Sequence, residues 1–110
     1  METIRQQKVA KIIQVEIADI LQKEASTFGG FITVTKVNVT KDLSLARINL
    51  SIFGVTGKQE VLKKIKTASK EIRFKLGNSV KHQLRIVPNL DFFIDDSFDR
   101  AQRIEELLKS

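Results

Sequence analysis

KTASKEIR, residues 66–73, decides how the second half of this chain folds. It lies within a run from Lys58 to about Gln83 in which Val61, Leu62, Ile65, Ala68, Ile72, Leu76 and Val80 stay in one arc at roughly 100° per residue. Lys63, Lys64, Lys66, Lys70 and Lys81 fall on the opposite side. Ala68 and Ser69 flank the middle of the apolar arc and lower its surface, so another element can approach closely there. Two readings stay open. One is a straight helix with ordinary small core residues; the other is a break near residues 68–70, giving two helices that cross a sheet at different angles. A Ser69 hydroxyl bonded back to a preceding carbonyl is the local cue for a break, and Gly77 is a further weak point.

Upstream, Thr3 and Gln6 have capping-box spacing, which predicts a helix start. Val9, Ile12, Ile13, Ile17, Ile20 and Leu21 form one apolar stripe to about Ala25, with Gly29 and Gly30 closing the connection. That stripe is the natural partner for the low surface at Ala68. Arg5, Lys8 and Lys11 fall off it, toward water or a ligand. ITVTKVNVT (32–40) and LARINLSIF (45–53) read as an antiparallel hairpin about the Lys41-Asp42 corner. Ala46, Ile48, Leu50 and Ile52 share one side of the second strand. The first strand changes phase near Lys36: Ile32 and Val34 share one face, Val37 and Val39 the other, through either a bulge or partial cover of the second face.

Downstream, RIVPNLDFFIDDS (85–97) supplies a third strand with Leu90, Phe92 and Ile94 on one face, and Pro88 fixes how the chain enters it. Asp96 or Ser97 is expected to cap a closing helix bearing Phe98, Ala101, Ile104 and Leu108. The order α, β, β, α, α, β, α, with no repeat or linker, predicts a single α+β domain over residues 1–110, with helices against one face of a small sheet.

Charge is unevenly placed. Residues 58–85 carry nine basic and two acidic groups, against a net +2 for residues 1–57 and −3 for residues 86–110. So focused a patch suits a polyanion, RNA or DNA above all, with a merely solvated lysine-rich face as the plain alternative. Cysteine is absent, which removes disulfides, thiolate metal sites and cysteine nucleophiles. METIRQQKVAKII has no apolar run of signal-peptide length and no later run could span a bilayer, so a soluble intracellular protein is expected.

The remaining motifs favour binding over catalysis. GVTG (54–57) is a G-x-x-G, the loop with which standard KH domains clamp nucleic acid, but it stands between a strand and a helix and reads as a turn. Asp96 and Asp99 suit the first turn of a helix, so with Asp91 and Asp95 they read as capping and strand residues instead of a cation site. His82 has no partner for a catalytic pair and is expected to join the basic face. No metal, cofactor or catalytic residue is expected. Phe74 is the one aromatic on the polar side of the helix, read here as covering a core edge.

With this order in place, the chain resembles the ribosome-binding factor A family. The signals are RQQKVAKIIQVEIADIL, ITVTKVNVTKDLSLARINLSIF and IRFKLGNSVKHQLRIVPNLDFFIDDS, with Ile72-Arg73, Arg85-Ile86-Val87-Pro88-x-Leu90-x-Phe92 and Asp95-x-Ser97 the most diagnostic. The resemblance implies a type II KH-like fold: α-β-β-α-α-β with a C-terminal helix, and a three-stranded mixed sheet covered by helices on one face. It also implies an interhelical kink of Ala-x-Gly pattern in place of the Gly-rich loop. Ala68, Ser69 and Lys70 match it, with Lys70 where the family commonly has Gly.

The implied role is a non-enzymatic, cytoplasmic factor that binds the immature 30S subunit and assists 16S rRNA maturation, including 5′-end processing, and supports growth in the cold. Its implied partners are 16S rRNA, the 30S subunit and other assembly factors including a GTPase; no membrane is involved, and it is expected to act as a monomer. The expected RNA-binding residues are Lys63, Lys64, Lys66, Lys70, Arg73, Lys75, Lys81 and Arg85, with Arg5, Lys8 and Lys11. The rival readings are a KH-like domain for other RNA or single-stranded DNA, and a basic protein-interaction module.

Overall fold

In the computed structural model, which describes residues 2–95, α1 (Ile4–Lys23) starts in a closed capping box. Thr3 Oγ1 accepts the Gln6 N–H at 3.1 Å, and Gln6 Oε1 accepts the Thr3 N–H at 2.9 Å. The other end of the Gln6 amide donates to Val39 O at 2.8 Å, so this buried polar residue also pins the helix start to the end of β1 (Phe31–Val39). Val9, Ile13, Ile17, Ile20 and Leu21 are buried as the stripe requires, and Ile12 is half-buried. One extra turn of helix, α2 (Ala25–Phe28), follows and sets Phe28 into the core; its four residues are too short for periodicity to reveal. Gly30, at φ +71°, then turns the chain into β1. A Cβ there would lie 2.7 Å from Phe53 O, so no other residue fits.

β1 pairs antiparallel with β2 (Leu45–Phe53), and the register slips between Val34 and Lys36, leaving Thr35 as the extra residue of a bulge. The bulge corrects the expected division of the strand. Val34, Val37 and Val39 are all buried on the core face, because one inserted residue reverses the alternation after it. Thr35 Oγ1 donates to Asp95 Oδ2 at 2.8 Å, with Asn49 O 3.1 Å away. On β2, Ala46, Ile48, Leu50 and Ile52 are buried together.

At the hairpin corner Asp42 Oδ1 accepts from Ser44 Oγ (2.7 Å), Thr40 Oγ1 (2.8 Å) and the Ser44 N–H (3.1 Å). Asn89 N–H reaches Ser44 O at 2.9 Å and so registers β3 (Asn89–Ile94) on the corner. β3 runs parallel to β2, giving a mixed sheet of order β1-β2-β3.

The helical run after β2 is two helices, α3 (Lys58–Thr67) and α4 (Ser69–Val80). α1 lies on β1 and against α4, whereas α3 packs on β2 and β3. The result is the expected α+β, type II KH-like arrangement with helices on one face. The expected closing helix lies outside the described residues.

Deleting Thr35 would leave Val34, Val37 and Val39 in phase on one face of a plain alternating strand, so it should cost only about 1 kcal/mol, the worth of the Thr35 hydrogen bonds. Inserting one residue after Lys36 would instead turn Val37 and Val39 out of the core; burying a valine contributes about 1.5–3 kcal/mol, so the insertion should cost about 3 kcal/mol or more in urea unfolding. Asp42 supplies a pH signature. Its hydrogen bonds, chiefly from Ser44 and then Thr40, hold the folded carboxyl below its ordinary range. Their contribution is complete above the ordinary Asp pKa and is lost as pH falls through the lowered one. Stability measured across pH 5 to 2 should therefore fall less steeply in Asp42→Asn than in the parent.

Candidate nucleic-acid interface

The break between α3 and α4 rests on Ala68, at φ −86° and ψ 7°. This bridge conformation needs no glycine. The hydrogen-bond ladder runs through it: Ala68 N–H reaches Lys64 O at 3.0 Å, and Ile72 N–H reaches Ala68 O at 2.9 Å. The hydroxyl that bonds backward is that of Thr67, to Lys63 O at 2.9 Å, where the cue had been placed on Ser69. Lys70 sits in the first turn of α4, and Leu43 is the only non-glycine with positive φ among the described residues. Lys70, at the position where the resemblance implies a glycine, thus strains nothing.

The two helices turn a broken edge toward β3. Ser69, Lys70, Arg73, Phe74 and Gly77 from α4 face Val87, Asn89 and Leu90 across a groove of about 670 Å³. Lys66 and Ser69 continue it toward Asp91 and Phe92. Arg73 sets the far wall: its Nε donates to Pro88 O at 3.1 Å and its Nη2 to Val87 O at 2.7 Å. Only part of its donor fork is used, so the remaining N–H groups and the charge are available to an anion. Phe74 overturns the expectation of core cover, because it is 70% exposed beside Lys70 and Arg73. The core at that level is already filled by Ile72 and Leu76, both fully buried.

The eleven predicted cations do not form a single ridge. Lys63 and Lys64 stand on the opposite edge of the pair, in a groove they share with Glu60 and Glu71. Lys75 is half-buried and bridged to Glu24, with Glu71 at 3.6 Å, so its charge is locally answered. Lys81 and His82 are exposed in the turn after α4, and Lys11 is exposed on α1. Arg5, Lys8 and Arg85 surround a different groove. What the sequence missed was the sorting by carboxylates and the Arg73 clamp. Both depend on which elements face each other.

The G-x-x-G falls as the turn reading requires. Gly54, at φ +79°, leaves β2, and Gly57 is the N-cap of α3. Asp95 is engaged with Thr35, and among the described residues no three His, Cys, Asp or Glu side chains group as metal ligands. Asp96 and Asp99 lie outside those residues. No described helix is long and apolar enough to cross a membrane.

A family model described as ribosome-binding factor A matches residues 5–108. The ribosome-binding factor A of Cytophaga hutchinsonii is 43% identical over 110 residues, covering 98% of this chain and 83% of that protein. The crystal structure of ribosome-binding factor A from Thermus thermophilus matches with a TM-score of 0.70 at 19% identity, over 81% of this chain and 94% of that one. A homology model of the Thermus thermophilus factor, fitted into the cryo-EM map of its complex with the 30S particle, matches at a TM-score of 0.58 and 21% identity, over 77% and 93%. These structural likenesses concern the fold.

Because residues 69–80 are helical throughout, Lys70→Gly should lower stability by about 0.5–1 kcal/mol. Gly77→Ala should raise it by a similar amount, since a Cβ there meets only Val87 Cγ2 at 3.7 Å, an ordinary contact. Urea midpoints of the two variants check both signs.

Proposed function

The chain belongs to the ribosome-binding factor A family, and on that premise we propose that it binds the immature 30S subunit through the β3-side edge of the broken helix pair. The observation that carries this reading is the groove itself. It joins two cations, an exposed ring and polar Asn78 and Asn89, with no carboxylate among the described residues that line it. Lys70, Arg73 and neighbouring Lys66 offer phosphate contacts that orient an RNA backbone, while Phe74 offers a face on which one unpaired base stacks. The edge bearing Lys63 and Lys64 contributes less, because Glu60 and Glu71 share it. Lys75 contributes least.

The protein acts on 16S rRNA maturation, including 5′-end processing, without catalysis. A binder with higher affinity for one RNA arrangement shifts the population toward it, and only by the difference between its two affinities; a tenfold preference is about 1.4 kcal/mol. Low temperature stabilises misfolded RNA pairings, so the same preference supports growth in the cold. The factor works as a cytoplasmic monomer, and release involves other assembly proteins, a GTPase among them.

Cosedimentation with 30S particles tests the site. Binding should weaken steeply with salt, and the double change Lys66→Glu/Lys70→Glu should reduce it at least about tenfold and flatten the salt dependence. Phe74→Ala should cost about 1–3 kcal/mol with little change in that slope. Lys63→Glu/Lys64→Glu should cost less than the Lys66/Lys70 pair. Equal binding by all of these variants refutes the groove, and normal 16S ends after depletion refute the maturation role.

A further inference from the structure

We propose that a second groove, between the start of α1 and the α4–β3 connection, docks an acidic peptide segment of a protein partner through aliphatic anchor residues. This inference does not rest on the RNA-binding role of the β3-side edge. The groove measures about 330 Å³. Its rim carries Arg5 and Lys8, three residues apart on one face of α1, and Arg85 on the other wall. Among the described residues none of the three is in an ion pair, unlike Lys23 and Lys75, and none of those lining the groove is a carboxylate.

Beneath these cations the floor is aliphatic, formed by Val9, Ile12, Leu43 and Leu84, and Ile86 stands beside it 62% exposed. Val9 and Leu84 are buried and Ile12 and Leu43 half-buried, so Ile86 carries the exposed aliphatic surface; like charges gathered beside it cost stability, which a ligand both anionic and apolar offsets. RNA is the weaker match. Among the described residues the lining offers no aromatic ring for a base to stack on, whereas a peptide with Asp or Glu beside Leu, Ile or Phe meets rim and floor together.

Leu43 adds an independent sign. It is held at φ +63°, where Asn or Gly would sit at little cost and a leucine costs about 1–2 kcal/mol. That strain places an aliphatic side chain in the groove floor. The walls are fixed before anything binds: Gln6 ties α1 to Val39 O, and Asn89 ties the start of β3 to Ser44 O. A preformed groove loses little ordering entropy on docking.

The test is panning of phage-displayed random dodecapeptides against the intact chain, followed by fluorescence titration of the recovered peptides. Enrichment of peptides carrying acidic residues beside aliphatic or aromatic ones is expected. Arg5→Glu/Arg85→Glu and, separately, Ile86→Asp should each weaken them about tenfold or more, while Lys66→Glu/Lys70→Glu leaves them within about twofold. Urea midpoints identify any variant that fails to fold, in which case Arg5→Gln/Arg85→Gln replaces the reversal and should weaken binding in the same direction. No acidic-aliphatic enrichment, or equal binding by the groove variants, overturns the proposal. So does an Arg5→Glu/Arg85→Glu protein that loses deproteinised 16S rRNA while keeping the peptides.

Discussion

One geometric constraint governs this molecule: a single apolar sheet face must be covered by helices that also cover one another. α1 takes β1. The helical run after β2 has to reach β3 and then return to α1. Unbroken, it would be a rod of about 35 Å at 1.5 Å per residue, longer than the nine-residue strands beneath it, at about 30 Å. Such a rod could follow one of those directions and not both. The turn at Ala68 divides the work, so that Val61, Leu62 and Ile65 close over the sheet while Ile72, Leu76 and Val80 fill the space beside α1. Ala68 at this corner packs against the edge of the core and lines a groove with Phe28.

The same corner creates the interface. Two helices meeting at an angle leave an open edge on each side, and the two edges differ in charge. Toward β3 stand Lys70 and Arg73 with a bare phenyl ring, and Lys66 next to them on the side of Asp91; toward α2 Lys63 and Lys64 share their groove with Glu60 and Glu71. A count of positive charge treats these edges alike. Coulomb interactions within a few ångströms do not, because a lysine answered by a carboxylate offers a phosphate much less than one with no counter-charge.

The segment between α4 and β3 serves both grooves. Arg73 draws Val87 and Pro88 onto α4 and so builds the wall of the first groove. Arg85 and Ile86, a step earlier in the chain, face the second. This short connection without regular structure is held at its start by the Gln83 and Leu84 N–H groups on Val80 O, and at its end by Arg73 on the Val87 and Pro88 carbonyls and by Asn89 N–H on Ser44 O. A change at Arg73 acts on this shared segment, whereas Lys66 and Lys70 make no hydrogen bond to it among the described residues.

Apart from the four residues of α2, the succession of α1, the β1–β2 hairpin, a helical run and β3 was readable along the chain, as were the capping box at Thr3, the buried faces of α1 and β2, and the turn role of the two glycines around Val55-Thr56. Each depends on contacts between near neighbours or on a strict period of 2 or 3.6. The family resemblance was readable for the same reason: the core pattern and the Arg85–Phe92 run lie in order along one line. The sequence left open whether Ala68 broke the helix, and the structure placed the bonding hydroxyl on Thr67. It left the phase change of β1 open too, and pairing with β2 showed a bulge. It assigned Phe74 to the core edge, and the tertiary packing left it in solvent. Side-chain position along a helix is a local property, but exposure and free charge are set by whatever stands opposite, and only the folded chain brings that partner into place.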